Sequence, residues 1–284
     1  IIEQSPIAAL PDLLMTDAAI NMVQSGGYGQ TASIFLRGTN SNQTLILRDG
    51  VRLNSATTGT ASLPFIDTTD IQQIEVLKGP ASVLYGTDAI GGVVQLVSKT
   101  PEKNSAFVTG EIGENSTYKT LVGADLAENG FYAQIRGQHL ETDGTPVKDS
   151  KNAPDAAFDQ TGYSAKFGVE KEKYALSLDY SENEGNSQYD NYGAVANQDF
   201  KNEIVNIKGR VNLAPSVEVN ARVSQFKDDI DQNDLNYLGT YDFVHSTTQE
   251  AELYGKWQFT PSQNILLGTT YQNIDGDVIS WGSP

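Results

Sequence analysis

The chain has 284 residues and carries 36 acidic side chains against 19 basic ones, which gives a formal net charge of −17 at pH 7. Such an acidic chain lacks the basic surface that a nucleic-acid partner requires, and without cysteine it has no disulfide, thiol nucleophile or thiolate metal site. Its mean hydropathy is −0.36, and no run approaches the ~18 apolar residues of a transmembrane helix. Membrane-crossing strands remain compatible with this value, because they alternate apolar and polar residues.

The start of the chain predicts a small α+β unit. Ser5-Pro6 is typical of an N-cap followed by proline at the first helical position, and it predicts a short helix over 7–14. Asp49-Gly50 predicts a tight hairpin turn. Extended segments are expected at 21–23, 34–37 and 44–47, with loops of glycine or small polar residues at 24–33 and 55–62.

The stretch 74–100 organises this unit, since it predicts two strands that glycine and proline hold in a fixed geometry. Its expected elements are a strand over 74–77, a helical segment over 81–85 and a strand over 93–98. We expect Gly91 and Gly92 to be required for backbone conformation or for close approach to a neighbouring strand. Pro101 and its polar neighbours end the pattern and predict a domain boundary at 104.

Beyond residue 104 the sequence alternates apolar and polar residues with a period of two. We expect nine strands, near 106–112, 117–127, 130–141, 161–170, 173–182, 203–213, 217–227, 249–259 and 264–273. A soluble β-sandwich with its apolar face inward is one interpretation. However, the long connections at 142–160, 183–202 and 228–248 alternate with short ones, which is the arrangement of an outer-membrane barrel.

Three segments of the chain closely resemble the plug domain of TonB-dependent outer-membrane receptors. They are IFLRGTN at 34–40, LILRDGVRLN at 45–54 and YGTDAIGGVV at 85–94. Three motifs in the right order and spacing are more specific than a single glycine pattern, which a soluble α+β domain could also contain. Their amino-acid sequences are most similar to those of the cobalamin-receptor branch of the family.

The resemblance implies a mainly β protein with two domains, in the bacterial outer membrane. An α+β plug domain would occupy 1–104, and 105–284 would form the first part of a large antiparallel transmembrane barrel, which has roughly 22 strands in plugged transporters. Nine strands are fewer, and the TonB box that precedes the family plug is not found, so we expect the chain to be a fragment.

The resemblance also implies a function, which is active uptake of cobalamin with energy supplied by the TonB protein. The plug loops that would face the ligand, which we call the apices, carry small polar residues at 24–33 and 55–62. Such residues suit a large uncharged corrinoid better than an anionic siderophore. By motif position, cobalamin contacts would fall on Thr31, Ser33, Asn40, Thr58, Gly59 and Asn191. Uptake of a ferric siderophore or haem is the alternative, as is a surface receptor that bacteriocins or phage use.

Calcium is the cofactor that the resemblance implies, bound by acidic residues of the long connections. The ligand positions would be Asp155, Asp159, Tyr189, Asp190 and Asp199. One family ligand position falls on Pro146, so that Asp143 or Asp155 would have to substitute for it. Carboxylate-rich loops can supply the six to eight oxygens that calcium prefers, although a solvated acidic surface is the simpler interpretation. No catalytic motif is found, and we expect no enzyme activity.

Overall fold

In the computed structural model, the described residues are 9–17, 20–79, 82–146, 153–191, 194–233 and 241–279. Strands dominate these ranges, and they form one two-stranded, one four-stranded and one nine-stranded sheet. The mainly β class predicted from the sequence is confirmed. We call the described residues up to 104 the plug and the nine-stranded sheet the wall. None of the described helices is long and apolar enough to cross a membrane.

The first helix, α1 (Leu10–Leu14), begins later than the sequence predicted. Ala9 is extended and forms the N-cap, and Pro11 lies in the first turn. A helix that started at residue 7 would place Pro11 in its interior, where the ring clashes with the preceding turn. The predicted N-cap at Ser5-Pro6 lies outside the described residues.

Six short strands build the two sheets of the plug. They are β1 (Ile20–Gln24), β2 (Ala32–Leu36), β3 (Thr44–Arg48), β4 (Val51–Arg52), β5 (Ile71–Lys78) and β6 (Gly92–Ser98). β1 and β2 pair with each other, and the larger sheet has the order β4-β3-β6-β5, in which β3 and β6 are parallel. The predicted turn at Asp49-Gly50 joins β3 to β4, with a positive φ of 50° at Asp49 and 89° at Gly50.

The glycine pair after the short helix α2 (Ser82–Tyr85) is enclosed, as the sequence predicted. Gly92 has a φ of 154°, and a Cβ built there would collide with the backbone oxygen of Leu77 on β5. A Cβ at Gly91 would collide with the Thr39 hydroxyl. Glycine at these two positions therefore lets β6 lie directly against its neighbours.

The wall contains nine consecutive antiparallel strands, which confirms the predicted number within the described residues. They are β7 (Ser105–Gly113), β8 (Thr117–Glu128), β9 (Phe131–Thr142), β10 (Phe158–Glu170), β11 (Tyr174–Asn191), β12 (Ala194–Ala214), β13 (Val217–Asn233), β14 (Tyr241–Thr260) and β15 (Gln263–Ile279).

Two of the predicted long loops are wrong, because strands occupy most of 183–202 and 228–248. β11 continues to Asn191 and β12 begins at Ala194, so that the two strands form one long hairpin. The outward positions of β11 in this hairpin, such as Glu182, Glu184 and Asn186, are polar, and the apolar sequence pattern therefore ended before the hydrogen-bonded ladder does.

The two faces of the wall differ in polarity, and the polar face packs on the plug. On β10, for example, Ser164 and Lys166 are buried, whereas Tyr163 and Phe167 are exposed on the opposite face. The apolar core of the plug includes Leu36, Ile46 and Leu96, and two wall residues, Ile204 and Phe226, extend it.

Candidate functional site

A cavity of about 180 Å³ lies between the plug and the wall. Three of the residues predicted to contact substrate, Thr31, Ser33 and Thr58, line it together. The wall contributes Gln198 from β12 and Ile230 from β13. The other lining residues are Gly29, Ala32, Ile34, Ser41, Thr44, Ile46, Thr60, Ala61, Ser62, Leu63, Pro64 and Phe65. No lining side chain carries a charge, although the chain as a whole is strongly acidic.

The remaining predicted contacts do not line this cavity. Asn40 instead caps a 3₁₀ turn, where its backbone N–H donates to the side chain of Gln43 at 3.0 Å. Gly59 has a φ of 72°, and its carbonyl accepts a hydrogen bond from the buried Asn54 at 2.9 Å. Both residues thus shape the apex loops. Asn191 ends β11, and its side chain lies outside the described residues.

A row of four stacked aromatic rings joins the plug to the wall beside the cavity. Phe65 of the plug stacks on Phe200 of the wall with ring centroids 4.1 Å apart. Phe200 stacks on Phe158 at 5.9 Å, and Phe158 on Tyr28 of the plug at 6.3 Å. Because Phe65 also lines the cavity, this row fixes one side of the candidate site.

Wall side chains also donate hydrogen bonds to backbone carbonyls of the plug. The Phe65 carbonyl accepts from Gln160 and Asn183, and the Gly29 carbonyl accepts from Ser187 at 2.9 Å. The Asp49 carbonyl accepts from Asn206 at 3.3 Å. These bonds position the plug backbone without engaging the plug side chains.

A buried group of charges lies at a second place between the plug and the wall. Lys166 and Lys208 of the wall each lie 3.9 Å from the Asp49 carboxylate, and both also contact Asp179 of the wall. Burial tends to raise the pKa of Asp49, but the two lysines and the Ser98 hydroxyl outweigh it and hold the pKa below the ordinary value.

A second buried carboxylate close to Asp49 is shifted in the opposite direction. Asp70 pairs with Arg48 at 2.5 Å inside the plug. Burial nevertheless raises the pKa of Asp70, because the nearby Asp67 and Asp49 add to the desolvation and offset part of the Arg48 attraction. The two carboxylates therefore respond to acid at different pH values.

A third polar contact lies at the β3–β4 hairpin. Arg52 of the plug lies 3.3 Å from Glu250 of β14, and Arg222 of β13 pairs with the same carboxylate. Arg222 also lies 3.1 Å from Glu252. At these places the plug meets the wall through ion pairs and hydrogen bonds, which can be exchanged for water more readily than the apolar contacts of Phe65, Ile204 and Phe226.

Comparison with known proteins decides between a soluble β protein and a membrane receptor. The model of the TonB-dependent Receptor Plug Domain family matches residues 1–93. The Vitamin B12 transporter BtuB of Vibrio vulnificus (strain CMCP6) is 28% identical over 295 aligned residues, which cover all of this chain and 47% of that protein. The protein of the same name from Photobacterium profundum is 35% identical over 181 residues, 61% of this chain and 29% of that protein.

The first 93 residues belong to the plug-domain family of TonB-dependent receptors. The whole chain spans 47% of the length of the protein from Vibrio vulnificus (strain CMCP6) and 29% of that from Photobacterium profundum. Solved structures of the family share its fold at low sequence identity. The copper transporter OprC gives a TM-score of 0.79 at 18% identity, over 95% of this chain and 43% of OprC. The FrpB iron transporter from Neisseria meningitidis gives 0.80 at 14%, over 97% of this chain and 47% of that structure.

The receptor lies in the outer membrane, and the wall is part of its β-barrel. The outward face of the wall carries large exposed apolar side chains, as a lipid-facing surface requires. They include Val122, Ile135, Phe167, Leu176, Ile207, Val223, Leu253 and Leu267. On β11 the series of outward apolar side chains ends at Tyr180, and the next outward residue, Glu182, is charged. The strand continues for about 30 Å beyond it at ~3.3 Å per residue.

The acidic residues predicted to bind calcium lie on this extension of the receptor and on the neighbouring connection. Asp159 is opposite Asn186 in the ladder, Asn186 is opposite Asp199, and the Asn186 amide donates to Asp199 at 2.7 Å. Asp190 lies four residues farther along β11, which is about 13 Å away. Tyr189 precedes it and points to the other face of the strand. Asp155 forms a β-bridge with Pro146, the residue for which it was predicted to substitute.

This arrangement does not fit a single calcium site. Ligand oxygens must lie about 2.3–2.6 Å from the ion, which side chains spread over ~13 Å of strand do not achieve. Within the described part of the receptor, no three acidic, histidine or cysteine side chains gather as metal ligands require. Asp143, the other residue predicted to substitute at the Pro146 position, donates its backbone N–H to the carbonyl of Asn115 at 2.9 Å. Calcium binding stays a prediction.

Sequence reasoning missed the wall side of the candidate site. Gln198 was assigned to a loop, and Ile230 to another, because the strands β12 and β13 were predicted to be shorter. Thr44 was assigned to a strand with no functional role, yet it reaches the cavity. The period-two pattern could have found Gln198 and Phe200, since both continue the inward series of β12.

Proposed function

We propose that the intact receptor binds cobalamin at the plug–wall cavity and transports it inward with energy from TonB. The observation that carries this proposal is the uncharged lining of the cavity, which includes Thr31, Ser33 and Thr58. A large uncharged ligand is best held by many hydrogen bonds and surface contacts, and a concave site of this composition offers both. The relatives named as vitamin B12 transporters support the same ligand.

The plug–wall contacts suggest how such a ligand would pass. A pull on the plug would have to separate Asp49 from Lys166 and Lys208, and Arg52 from Glu250. Ion pairs that water can replace cost less to separate than an apolar interface of equal area, since the charges are solvated again as they part. The proposed transport step is therefore a rearrangement of the plug inside the wall.

Ligand binding and energised uptake test the two parts of the proposal separately. We expect the intact receptor to bind cobalamin more tightly than ferric siderophores or haem, and cells to accumulate it only when TonB and the proton gradient are present. Preferential binding of a ferric siderophore would contradict the ligand. Cobalamin binding or bacteriocin docking without energised uptake would indicate a docking receptor.

Calcium forms a separate proposal that rests on the family resemblance alone. The proposed rearrangement of the plug separates Asp49 from Lys166 and Lys208, and Arg52 from Glu250, and none of these residues is a predicted calcium ligand. Calorimetric titration of the intact receptor with calcium, repeated on Asp190→Ala, tests it. Equal calcium binding by both proteins would show that Asp190 is not a ligand.

A further inference from the structure

A segment of the plug, residues 55–66, rests on one level of the inner face of the wall. The inward residues at this level, which are successive partners in the ladder from β11 to β14, are Asn183, Asn202, Asp228 and Ser246. The Phe65 carbonyl accepts from the first of them, and the Ser62 hydroxyl donates to the Asp228 carboxylate at 3.0 Å. Asp228 is the charged member of this row, and it does not line the cavity of the candidate site.

The Asp228 carboxylate is buried among neutral groups. Its side chain belongs to a residue that is only 2% exposed. Besides Ser62, the carboxylate accepts from the Asn202 amide at 2.5 Å, and the apolar Phe226 and Ile230 flank it on the same face of β13. No basic side chain of the described residues forms an ion pair with it. A buried carboxylate whose partners are all neutral holds a proton more readily than a solvated one.

The charged side chains closest to Asp228 belong to the opposite face of the wall. These outward residues are Lys227 and Asp229 on β13, Lys201 and Glu203 on β12, and His245 on β14. On the inner face, the nearest acids of β14 are Asp242 and Glu250, each four residues from Ser246 and thus about 13 Å along the strand. The plug segment 55–66 contains no titratable residue. Among the described residues, no cation on the inner face therefore offsets the burial of Asp228.

This level of the wall lies beyond the part that faces lipid. On β13 the outward apolar series ends at Val223, and the next outward residues, Gln225 and Lys227, are polar. Outer-membrane barrels have short periplasmic turns and longer external loops, and β13 runs away from the short turn at 214–216. Asp228 thus lies on the external side of the membrane, on the inner face of the wall.

The surroundings of Asp228 favour a bound proton and can accommodate it. Burial raises the pKa of Asp228 to about 6, and the Asp229 charge adds to this rise, whereas the hydrogen bonds from Ser62 and Asn202 oppose it. The Oδ1 atom of Asn202 is buried and has no hydrogen-bond partner among the described residues. A turn of this amide would present that oxygen to the carboxyl O–H of a protonated Asp228. Both ionisation states can therefore be hydrogen-bonded at this position.

We infer that Asp228 is a proton-binding site that makes the docking of the plug segment 55–66 on the wall depend on the external pH. A proton is bound at Asp228 while Ser62 rests on it, and it is released when the segment separates and water reaches the carboxylate. The pKa of Asp228 is about 6 in the docked state, against an ordinary value of about 3.9 in water. The proton-linked stability of docking is therefore fully present below about pH 4, and it is lost as the pH rises through about 6. This inference goes beyond the proposed function, because it does not depend on which ligand is carried.

Separation of the segment in urea, followed by a spin label, tests the inference on the unliganded intact receptor. The label is attached at Ala56→Cys, an exposed position of the segment in a chain that has no cysteine. The docked and solvated pKa values predict that the equilibrium constant for separation, at a fixed urea concentration, is about tenfold smaller at pH 5 than at pH 7.5. Asp228→Asn keeps the shape of the side chain but binds no proton, so it should lack this tenfold change. Other groups titrate in both proteins, and the difference between them isolates Asp228.

Two further variants should move the midpoint of the pH response in opposite directions. Ser62→Ala removes a hydrogen bond to the ionised carboxylate, so the midpoint should rise. Asp229→Asn removes a like charge beside it, so the midpoint should fall while the response itself is kept. It is also the matched control for the loss of an acid from β13.

An equal pH response in the unmodified receptor and in Asp228→Asn would overturn the inference, as would a midpoint that Ser62→Ala leaves unchanged. If Asp228→Asn does not assemble, the directions of the other two shifts decide. No ligand enters these measurements, so their outcome is independent of cobalamin binding and uptake.

Discussion

Gly92 shows at the scale of a single residue how the plug depends on its backbone. Gly92→Val should destabilise the plug by about 1–3 kcal/mol from the backbone conformation alone, and more from the collision with Leu77. Gly110→Val is the control, because no atom of the described residues lies within 4 Å of a Cβ at that wall position. Limited proteolysis of outer-membrane fractions should show a sensitive plug in the first variant only, with the barrel inserted in both.

Asp49 gives the plug–wall contact a defined pH response. Its pKa is held below the ordinary value, so its ionised form stabilises the folded state above about pH 4 and this contribution is lost as the pH falls through the folded pKa. Asp49→Asn should therefore cost about 2 kcal/mol at neutral pH and progressively less in acid. Asp70 also titrates in both proteins, and because the Asp49 charge helps to raise its pKa, that pKa should be raised less in Asp49→Asn.

Denaturant unfolding of the two proteins from pH 7 to pH 3 measures this difference. A gap in unfolding free energy that does not change with pH would show that Lys166 and Lys208 do not stabilise the ionised Asp49. The same series on Ser164→Ala, which changes no charge, should give a constant gap.

Residues whose role is set by local backbone geometry could be predicted from the sequence. Asp49-Gly50 and the pair Gly91-Gly92 were identified because few residues adopt the required angles or fit the space. Thr44 and Gln198 could not be identified in this way. They come to the same cavity only because β3 of the plug and β12 of the wall, far apart in sequence, are brought together.

At the scale of a strand, the outward apolar series defines the part of the wall that crosses the membrane. Val223 on β13 is 58% exposed on this face, and Val223→Arg should hinder assembly by about 2–4 kcal/mol if it lies near the midplane. Lys227→Arg is the control, since it places arginine on the same face of the same strand, farther along. Heat-modifiability of the barrel in gels reports assembly, and equal tolerance at both positions would contradict the lipid-facing assignment.

Strand positions within the apolar band were predictable, whereas the strand ends were not. The predicted strand at 117–127 differs from β8 (Thr117–Glu128) by one residue. The predicted strand at 203–213, in contrast, is β12 from Ala194 to Ala214. Lipid imposes period two only within the membrane, and beyond it the ladder is held by backbone hydrogen bonds that leave no apolar pattern in the sequence.

At the scale of the whole molecule, the proposed transport step requires that the plug move against the wall. Asp67 of the plug and Gly162 of β10 are suitably placed for a cross-link, because a Cβ at Gly162 would lie 3.1 Å from Asp67 Oδ2. The described backbone at Gly162 needs no positive φ, and the chain has no native cysteine to interfere.

The double variant Asp67→Cys and Gly162→Cys should bind cobalamin when oxidised but fail to transport it. Reduction should restore uptake, and each single variant should transport under both conditions. Uptake that continues in the oxidised double variant, with the disulfide verified by mass spectrometry, would show that the ligand passes without separation of this contact.

The hydrogen bonds from the wall to the carbonyls of Phe65, Gly29 and Asp49 have an evolutionary consequence. Every amino acid carries the same carbonyl, so Gln160, Asn183, Ser187 and Asn206 can hold a plug whose side chains have changed. Mutations at the apices can then accumulate without loss of the docked backbone, and lineages that share one barrel could diverge in the cargo they accept.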